Sequence, residues 1–284
     1  MPPDRRIILL TDIPKWVEPL AEALRARGAA VLVETAPEAL SVSADLLVNR
    51  VSTLLMRREP ARATAFESSL VAWEHVGGGV VNSARCLRLG YSKQAQASLF
   101  RDCGVSTPET RLAIPGGRAL PGRAVLLKPA AGGFGKGIRA LDLHEPAPED
   151  LDPAAGWVEQ ERLVPVDGAV HRLEMLGGEI LYEASSPLVE GDFNYCLASG
   201  DPSVRLRARV EPALANTARH LAEAAGMELG ALEYLNETSG TPTFIDLNPV
   251  SSLYPNAPEF LGFDPLERTA DFLVRRAAKT NDGF

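Results

Sequence analysis

The spacing of apolar residues changes period twice within the first fifty positions. Arg6-Ile7-Ile8-Leu9-Leu10 reads as a short strand, and the stretch after it to Arg27 carries Trp16, Leu20 and Leu24 every four residues with Val17 and Ala21 beside them. That stripe predicts a helix packed on a sheet, with Pro19 in its first turn because proline lacks the N–H needed deeper in a helix. Gly28 then precedes Ala30-Val31-Leu32-Val33, completing a β-α-β opening. Asp45 to Arg50 and Gly79 to Asn82 read as two more strands with a helix between them. Residues 1–88 are therefore expected to form a small parallel αβ domain.

Beyond it the pattern loosens. From Ser92 a helix containing Lys93 and Leu99-Phe100 is expected to stop at Gly104. Ala124 to Pro129 has the composition of a buried strand, and His144 to Gly156, rich in proline, alanine and acids, reads as surface connection or weak helix without chemistry. Gly177-Gly178 joins Val170–Leu176 to Glu179–Tyr182 as a hairpin, and a helix near Pro212 to Ala225 precedes a strand pair, Leu229–Tyr234 and Thr243–Leu247. A closing helix is signalled by Asp264 as N-cap, Pro265 at N1 and Glu267 at the capping-box position, with Leu266, Ala270 and Leu273 on one face.

Composition narrows the class. The 284 residues carry a net charge of −8, with 45% hydrophobic and 23% charged residues, the usage of a globular protein rather than a disordered one. The acidic balance argues against a general nucleic-acid partner, and no run approaches the ~20 apolar residues of a membrane span. Cys86, Cys103 and Cys196 are widely separated and give no disulfide framework or metal knuckle, so a reducing cytoplasm is expected. Four histidines without an HExxH pattern leave a zinc hydrolase unsupported, and any metal is expected on oxygen ligands.

Two stretches carry candidate chemistry. Ala130-Ala131-Gly132-Gly133-Phe134-Gly135-Lys136-Gly137-Ile138 lacks the spacing and final hydroxyl residue of a Walker A loop. It also leads into an apolar residue where a dinucleotide loop would open a helix. It reads as a loop between two strands: either a flap whose N–H groups close over phosphate oxygens with Lys128 beside it, or a glycine-rich surface hairpin. In the second stretch Asp246 and Asn248 share one strand face, with Phe244 on the same row and Ile245 and Leu247 on the other. Pairing with the preceding strand would add Glu233, giving an oxygen set suited to magnesium or else a structural salt bridge. Asn49 and Arg50 end a strand at its C-terminal edge, where open αβ sheets bind ligands, and are candidate substrate contacts.

Taken in order, Val81-Asn82-Ser83, Gly90-Tyr91-Ser92-Lys93, Gly104 to Thr110, Leu127-Lys128-Pro129 with its flap, Val158-Glu159-Gln160-Glu161 and Ile245-Asp246-Leu247-Asn248-Pro249 resemble the ATP-grasp ligases, most of all their RimK-type branch. The likeness covers about residues 45 to 275. It implies an α/β and α+β chain: the small N-terminal domain, then an ATP-grasp region over 89–284. Within that region a lid subdomain of about 105–163 and a C-terminal subdomain of about 164–284 enclose ATP. By the same resemblance Lys93 and Lys128 reach the phosphates. Gly132, Gly133, Phe134, Gly135 and Gly137 form the closing flap. The segment holding Glu159, Gln160, Glu161 and Leu163 receives adenine through its backbone, so that side-chain identity matters little there.

Glu233, Asp246 and Asn248 match the ligands of magnesium, with manganese as its alternative, and Arg172 matches a residue that steadies the transferred phosphoryl group. Two departures stand out. Val170-His171-Arg172 lacks the acid of the usual Asp-x-Arg, and Asn194 stands where arginine is frequent. The implied activity is amide formation between a carboxylate and an amine, on small molecules or peptides, through an acyl phosphate. The alternatives are an ATP-grasp phosphotransferase or a nucleotide-binding regulator without turnover. Homodimers or homotetramers are common in the resembling family.

Overall fold

The computed structural model describes residues 5–40, 43–132, 135–152, 156–188, 203–237 and 240–280. The chain opens with β1 (Arg6–Leu10), α1 (Pro14–Arg25), β2 (Ala30–Glu34), β3 (Leu46–Asn49), α2 (Leu55–Arg58), α3 (Pro60–His75) and β4 (Val80–Val81). The strands form a parallel sheet in the order β2-β1-β3-β4. Pro14, not Pro19, occupies the first turn of α1, and Pro19 lies inside the helix. One missing hydrogen bond there is offset by the burial of Val17, Leu20, Ala21 and Leu24 around it. Trp16 departs from the expected stripe and stays 37% exposed.

Helices α4 (Ala84–Gly90) and α5 (Lys93–Asp102) follow. Each is capped by a serine: Ser83 Oγ accepts from Cys86 N and Ser92 Oγ from Ala95 N. Then β5 (Thr110–Leu112), β6 (Val125–Pro129), β7 (Arg139–Leu141) and β8 (Trp157–Glu161) make a second, antiparallel sheet ordered β5-β8-β6-β7. The glycine stretch connects β6 to β7, as its sequence predicts. The connection after residue 144 does more than cross the surface, because Ala147 and Leu151 pack on Val125, Leu127 and Leu141 as part of the core of this sheet.

The third sheet is built from β9 (Ala169–Leu176), β10 (Glu179–Pro187), β11 (Arg205–Arg207), β12 (Leu229–Asn236) and β13 (Pro242–Asn248), with α6 (Pro212–Ala225) between β11 and β12. Its order is β11-β10-β9-β12-β13, antiparallel throughout. Leu173, Met175, Leu232, Phe244 and Leu247 on one face pack against Phe100 of α5 and Leu221 and Ala222 of α6. The opposite face meets the second sheet through Leu126, Val170, Leu235 and Ile245.

One irregularity sets the phase of β13. Glu233 pairs with Asp246 but the next residue, Tyr234, pairs with Phe244, so Ile245 is an extra residue in the ladder. Phe244 therefore joins Leu247 in the helix-side core instead of sharing the row of Asp246, and Ile245 turns to the other side. A strict two-residue alternation does not foresee such a bulge.

The chain closes with α7 (Ala257–Leu261) and α8 (Pro265–Thr280). Asp264 Oδ1 accepts from Leu266 N at 2.8 Å, the expected cap. The Glu267 carboxylate pairs with Arg27, which also binds Asp271, so α8 is tied to α1. Ala270, Leu273 and Ala277 share a core with Ile7, Leu9 and Val17, so the first and last elements pack as one unit.

Candidate active site

The inner faces of the second and third sheets oppose each other, and the cleft is the line along which they meet. Strand alternation places Leu126, Lys128 and Gln160 on the inner face of the second sheet and sends Leu127 and Glu159 outward. Across from them β9 presents Val170, Arg172 and Glu174, while β12 and β13 present Glu233, Asp246 and Asn248. Leu126, Val170, Leu235 and Ile245, with Leu163 and Ile138 packed beside them, form a buried apolar layer between the two sheets. Next to it the facing side chains are charged.

The charged cluster is positioned from α5. Gln96 donates from Nε2 to the Leu247 carbonyl at 2.9 Å and accepts from Leu247 N at 3.1 Å, which docks the helix on β13. Lys93, one turn earlier, thereby reaches Asp246, and its ammonium pairs with that carboxylate. Lys128 comes from the opposite wall, 6% exposed, and donates to Gln160 Oε1 at 2.6 Å. Burial lowers its pKa to about 8; the positive charge of Lys93 adds to this, while Asp246 and Glu233 oppose it. Burial likewise raises the Glu233 carboxyl, with Arg172 opposing and Asp246 reinforcing the rise. These influences bring all four charges to one place.

Arg172 is held on three sides. Its Nε donates to Glu174 at 2.7 Å, Nη1 to Glu233, and Nη2 to Ser251 Oγ at 2.8 Å, while Ser251 itself donates to Glu174 at 2.7 Å. Burial works against the buried guanidinium, but Glu174 and Glu233 outweigh it and hold its pKa above the ordinary arginine value. The acid missing two residues before Arg172 is thus supplied two residues after it, on the same strand face. Alternation alone could have found Glu174. Ser251, in the segment following β13, has no comparable signal.

The donor set can be tested against magnesium. Among the described residues no three His, Cys, Asp or Glu side chains cluster to hold a metal. What the site offers is two carboxylates paired in register, Glu233 and Asp246, with Asn248 donating to Glu233 at 3.2 Å. Magnesium commonly takes one or two carboxylates and completes its shell with phosphate oxygens and water, so this set fits it. Lys93 and Arg172 balance the same two carboxylates in the structure.

Other expected residues are placed differently. Glu159, fully buried on the outer face, accepts from Ala119 N at 3.0 Å and Leu120 N at 2.9 Å, so its side chain fixes the backbone before β6 rather than turning inward. The Gln160 amide links Lys128 to Thr110 Oγ1, a role for this side chain that the sequence reading did not assign. Glu161 pairs with Arg123 at 2.8 Å. Gly135 and Gly137 adopt positive φ of 65° and 83°, and a Cβ at Gly137 would lie 3.3 Å from Pro129 Cγ. The Gly132 carbonyl accepts from Thr53 Oγ1 at 3.3 Å. Gly133, Phe134 and Asn194 lie outside the described residues.

Two contacts join the N-terminal sheet to this site. Asn82, 1% exposed, accepts from Glu228 N and Leu229 N at 2.8 Å each and donates to the Pro249 carbonyl at 2.9 Å, fixing the backbone around β12 and the end of β13. Arg50 donates to the Ser251 carbonyl at 2.5 Å. Asn49 accepts from Val51 N at 3.1 Å, and its buried Nδ2 has no partner among the described residues.

No family model matches the chain and no curated protein matches it. Solved structures do, over nearly the whole length, and they give it the ATP-grasp fold. It is similar to the ATP-grasp ligase PsnB complexed with minimal precursor, Mg and ADP (16% identity, TM-score 0.66, covering 96% of this chain and 97% of that one). D-cycloserine synthetase DcsG matches with 19% identity and a TM-score of 0.66, over 96% of this chain and 99% of that one. A RimK domain ATP-grasp protein from Sphaerobacter thermophilus matches with 21% identity and a TM-score of 0.62, over 95% and 99%. Among the described residues no helix is long and apolar enough to cross a membrane.

Proposed function

We propose that the protein is an ATP-dependent ligase that joins a carboxylate to an amine with release of ADP and phosphate. The observation that carries this reading is the convergence of Lys93 and Lys128, from opposite walls, on Glu233, Asp246 and Asn248. Two ammonium groups facing two carboxylates across a cleft form an arrangement ready to exchange partners. A triphosphate takes the ammonium groups and a divalent cation takes the carboxylates. Magnesium, or manganese in its stead, would be held by Glu233, Asp246 and Asn248 and would offset phosphate charge.

The chain's own residues then do the positioning. Lys128 and Lys93 hold the phosphate oxygens while a substrate carboxylate oxygen attacks the γ-phosphorus in line, breaking its bond to ADP. Arg172, braced by Glu174 and Ser251, steadies the acyl phosphate that forms. The flap over 132–137 excludes water until an amine attacks the carbonyl carbon and phosphate leaves. No side-chain nucleophile is required. The backbone from Gln160 to Leu163, with Leu163 packed on the apolar layer between the sheets, is the part that would receive adenine.

The acid and amine are small molecules or peptides, a range that includes the precursor bound by PsnB. We place the N-terminal domain over 1–88, the lid over about 105–163 and the C-terminal subdomain over about 164–284, and the protein in the cytoplasm as a homodimer or homotetramer. Incubation with ATP, magnesium and a pool of amino acids and dipeptides tests the activity. Mass-resolved amide product, with ADP and phosphate released only when acid and amine are both present, is expected. A phosphorylated product would indicate phosphotransfer instead, and binding without turnover a regulator.

A further inference from the structure

Arg50 leaves the N-terminal sheet at the C-terminal edge of β3, and its backbone is held at both ends. Its N–H donates to the Leu10 carbonyl at 2.8 Å and its own carbonyl accepts from Thr11 Oγ1 at 3.3 Å. The guanidinium reaches the segment that follows β13, where Nη2 donates to the Ser251 carbonyl. Its Nη1 is buried and has no hydrogen-bond partner among the described residues. Burial lowers the Arg50 pKa to about 10, and Glu174 is the acid that acts against this. Glu174 Oε1 already accepts from Arg172 and Ser251.

A buried guanidinium nitrogen without an acceptor is costly, since arginine does not shed its charge. Here it lies where the proposed reaction needs an anion. Ser251 holds Arg50 through its carbonyl and Arg172 through its hydroxyl, so Arg50 stands one residue out from the group bound to Glu233. Lys93, one of the two lysines proposed to hold phosphate, pairs with Asp246, the register partner of Glu233. The residues that follow reach the glycine stretch: Thr53, in the same loop, bonds to Gly132, and a Cβ at Gly137 would lie 3.4 Å from Nη1 of Arg57 in α2. The loop after β3 therefore borders the space between the flap and Ser251.

We propose that Arg50 anchors a substrate carboxylate through its open Nη1, making the N-terminal sheet the reader of the acid or of the amine's own carboxylate. The assignment rests on the ligase reading and assigns a specificity-determining residue to it. With Nη2 committed, the unpartnered Nη1 can still give a carboxylate oxygen a charge-assisted hydrogen bond. It would also supply the charge expected at Asn194.

The test compares wild type with Arg50→Met and Arg50→Lys. Thermal unfolding is followed in sodium acetate against sodium chloride at equal ionic strength, in the presence of magnesium and a non-hydrolysable ATP analogue. Acetate is expected to raise the wild-type Tm above its chloride value and to leave Arg50→Met unchanged. Equal acetate responses in wild type and Arg50→Met, including no response in either, overturn the proposal. The nucleotide analogue should stabilise all three proteins. If it fails to stabilise wild type, the nucleotide site itself is refuted, a separate failure. In turnover, Arg50→Lys is expected to raise KM about tenfold to a hundredfold for whichever substrate carries the anchored carboxylate, acid or amine. Its KM for ATP should stay unchanged, and a rise confined to ATP also overturns the proposal.

Discussion

Residues 171 and 172 are neighbours on β9, yet they enter two polar networks of opposite design. On the back face His171 bonds Glu183 at 2.9 Å and Asp167 at 2.8 Å and stacks on Tyr234, while Tyr234 and Arg207 also bond Glu183 and Asn236 bonds Asp167. None of those side chains has a buried polar atom left without a partner. On the cleft face Arg172 joins Glu174, Glu233 and Ser251, but Lys93, Lys128 and Arg50 add further positive charge and one Arg50 nitrogen is left open. The first network closes on itself and stabilises the sheet. The second holds more cationic than anionic side chains, the imbalance that the proposed anionic ligands would offset.

The largest expected effect breaks the open network alone. Lys128→Met removes a buried cation already weakened by desolvation, so ADP formation should fall about 10²- to 10³-fold. The melting temperature should hold or rise, as calorimetry would record. Lost activity accompanied by a collapse in stability would show that the two networks are not distinct in kind. The reverse experiment is Glu183→Gln, which strips the charge that His171, Tyr234 and Arg207 share. About 3 kcal/mol of stability should be lost in urea unfolding, while turnover per folded molecule changes little.

Two titrations sharpen the contrast further. Lys128, with its pKa lowered to about 8, is charged below that value and neutral above it. Affinity for magnesium and an ATP analogue should be full below pH 8 and weaken as pH rises through it, and Lys128→Met should flatten that dependence in isothermal calorimetry. His171 is expected to act on folding. Burial would lower its pKa, but the bonds to Glu183 and Asp167 outweigh it and hold it above the ordinary value. Its stabilising contribution is therefore complete below the unfolded pKa of about 6.5 and is lost as pH rises through the higher folded value. The difference in Tm between wild type and His171→Asn should shrink across that interval.

Much of this was legible beforehand because it follows from local rules. Strand alternation places Lys128 and Gln160 on one face, serine caps start α4 and α5, and the Gly177-Gly178 turn sets the β9–β10 hairpin. What was not legible depends on long-range contact. No spacing rule brings Ser251 to Arg172, Asn82 to Pro249 or Gln96 to Leu247, because each joins elements far apart in the chain. The direction of the Glu159 side chain was hidden for a related reason: its motif is continuous in sequence, but a strand sends adjacent side chains to opposite faces, and only the partner strand tells which face turns inward.

The unpaired Ile245 has a consequence for how this chain tolerates change in length. Everything downstream of it on β13 is half a repeat out of step with everything upstream, so the greasy and the acidic halves of the strand each find their proper side. Excising that single isoleucine would close the ladder into plain alternation, with Phe244 still in the helix layer and Asp246 and Asn248 still facing the second sheet, at the cost of the apolar cover Ile245 gives Leu126 and Val170. Removing Leu247 from the regular stretch would instead turn Asn248 toward the helices, so where a residue is lost along this strand matters more than how many it has.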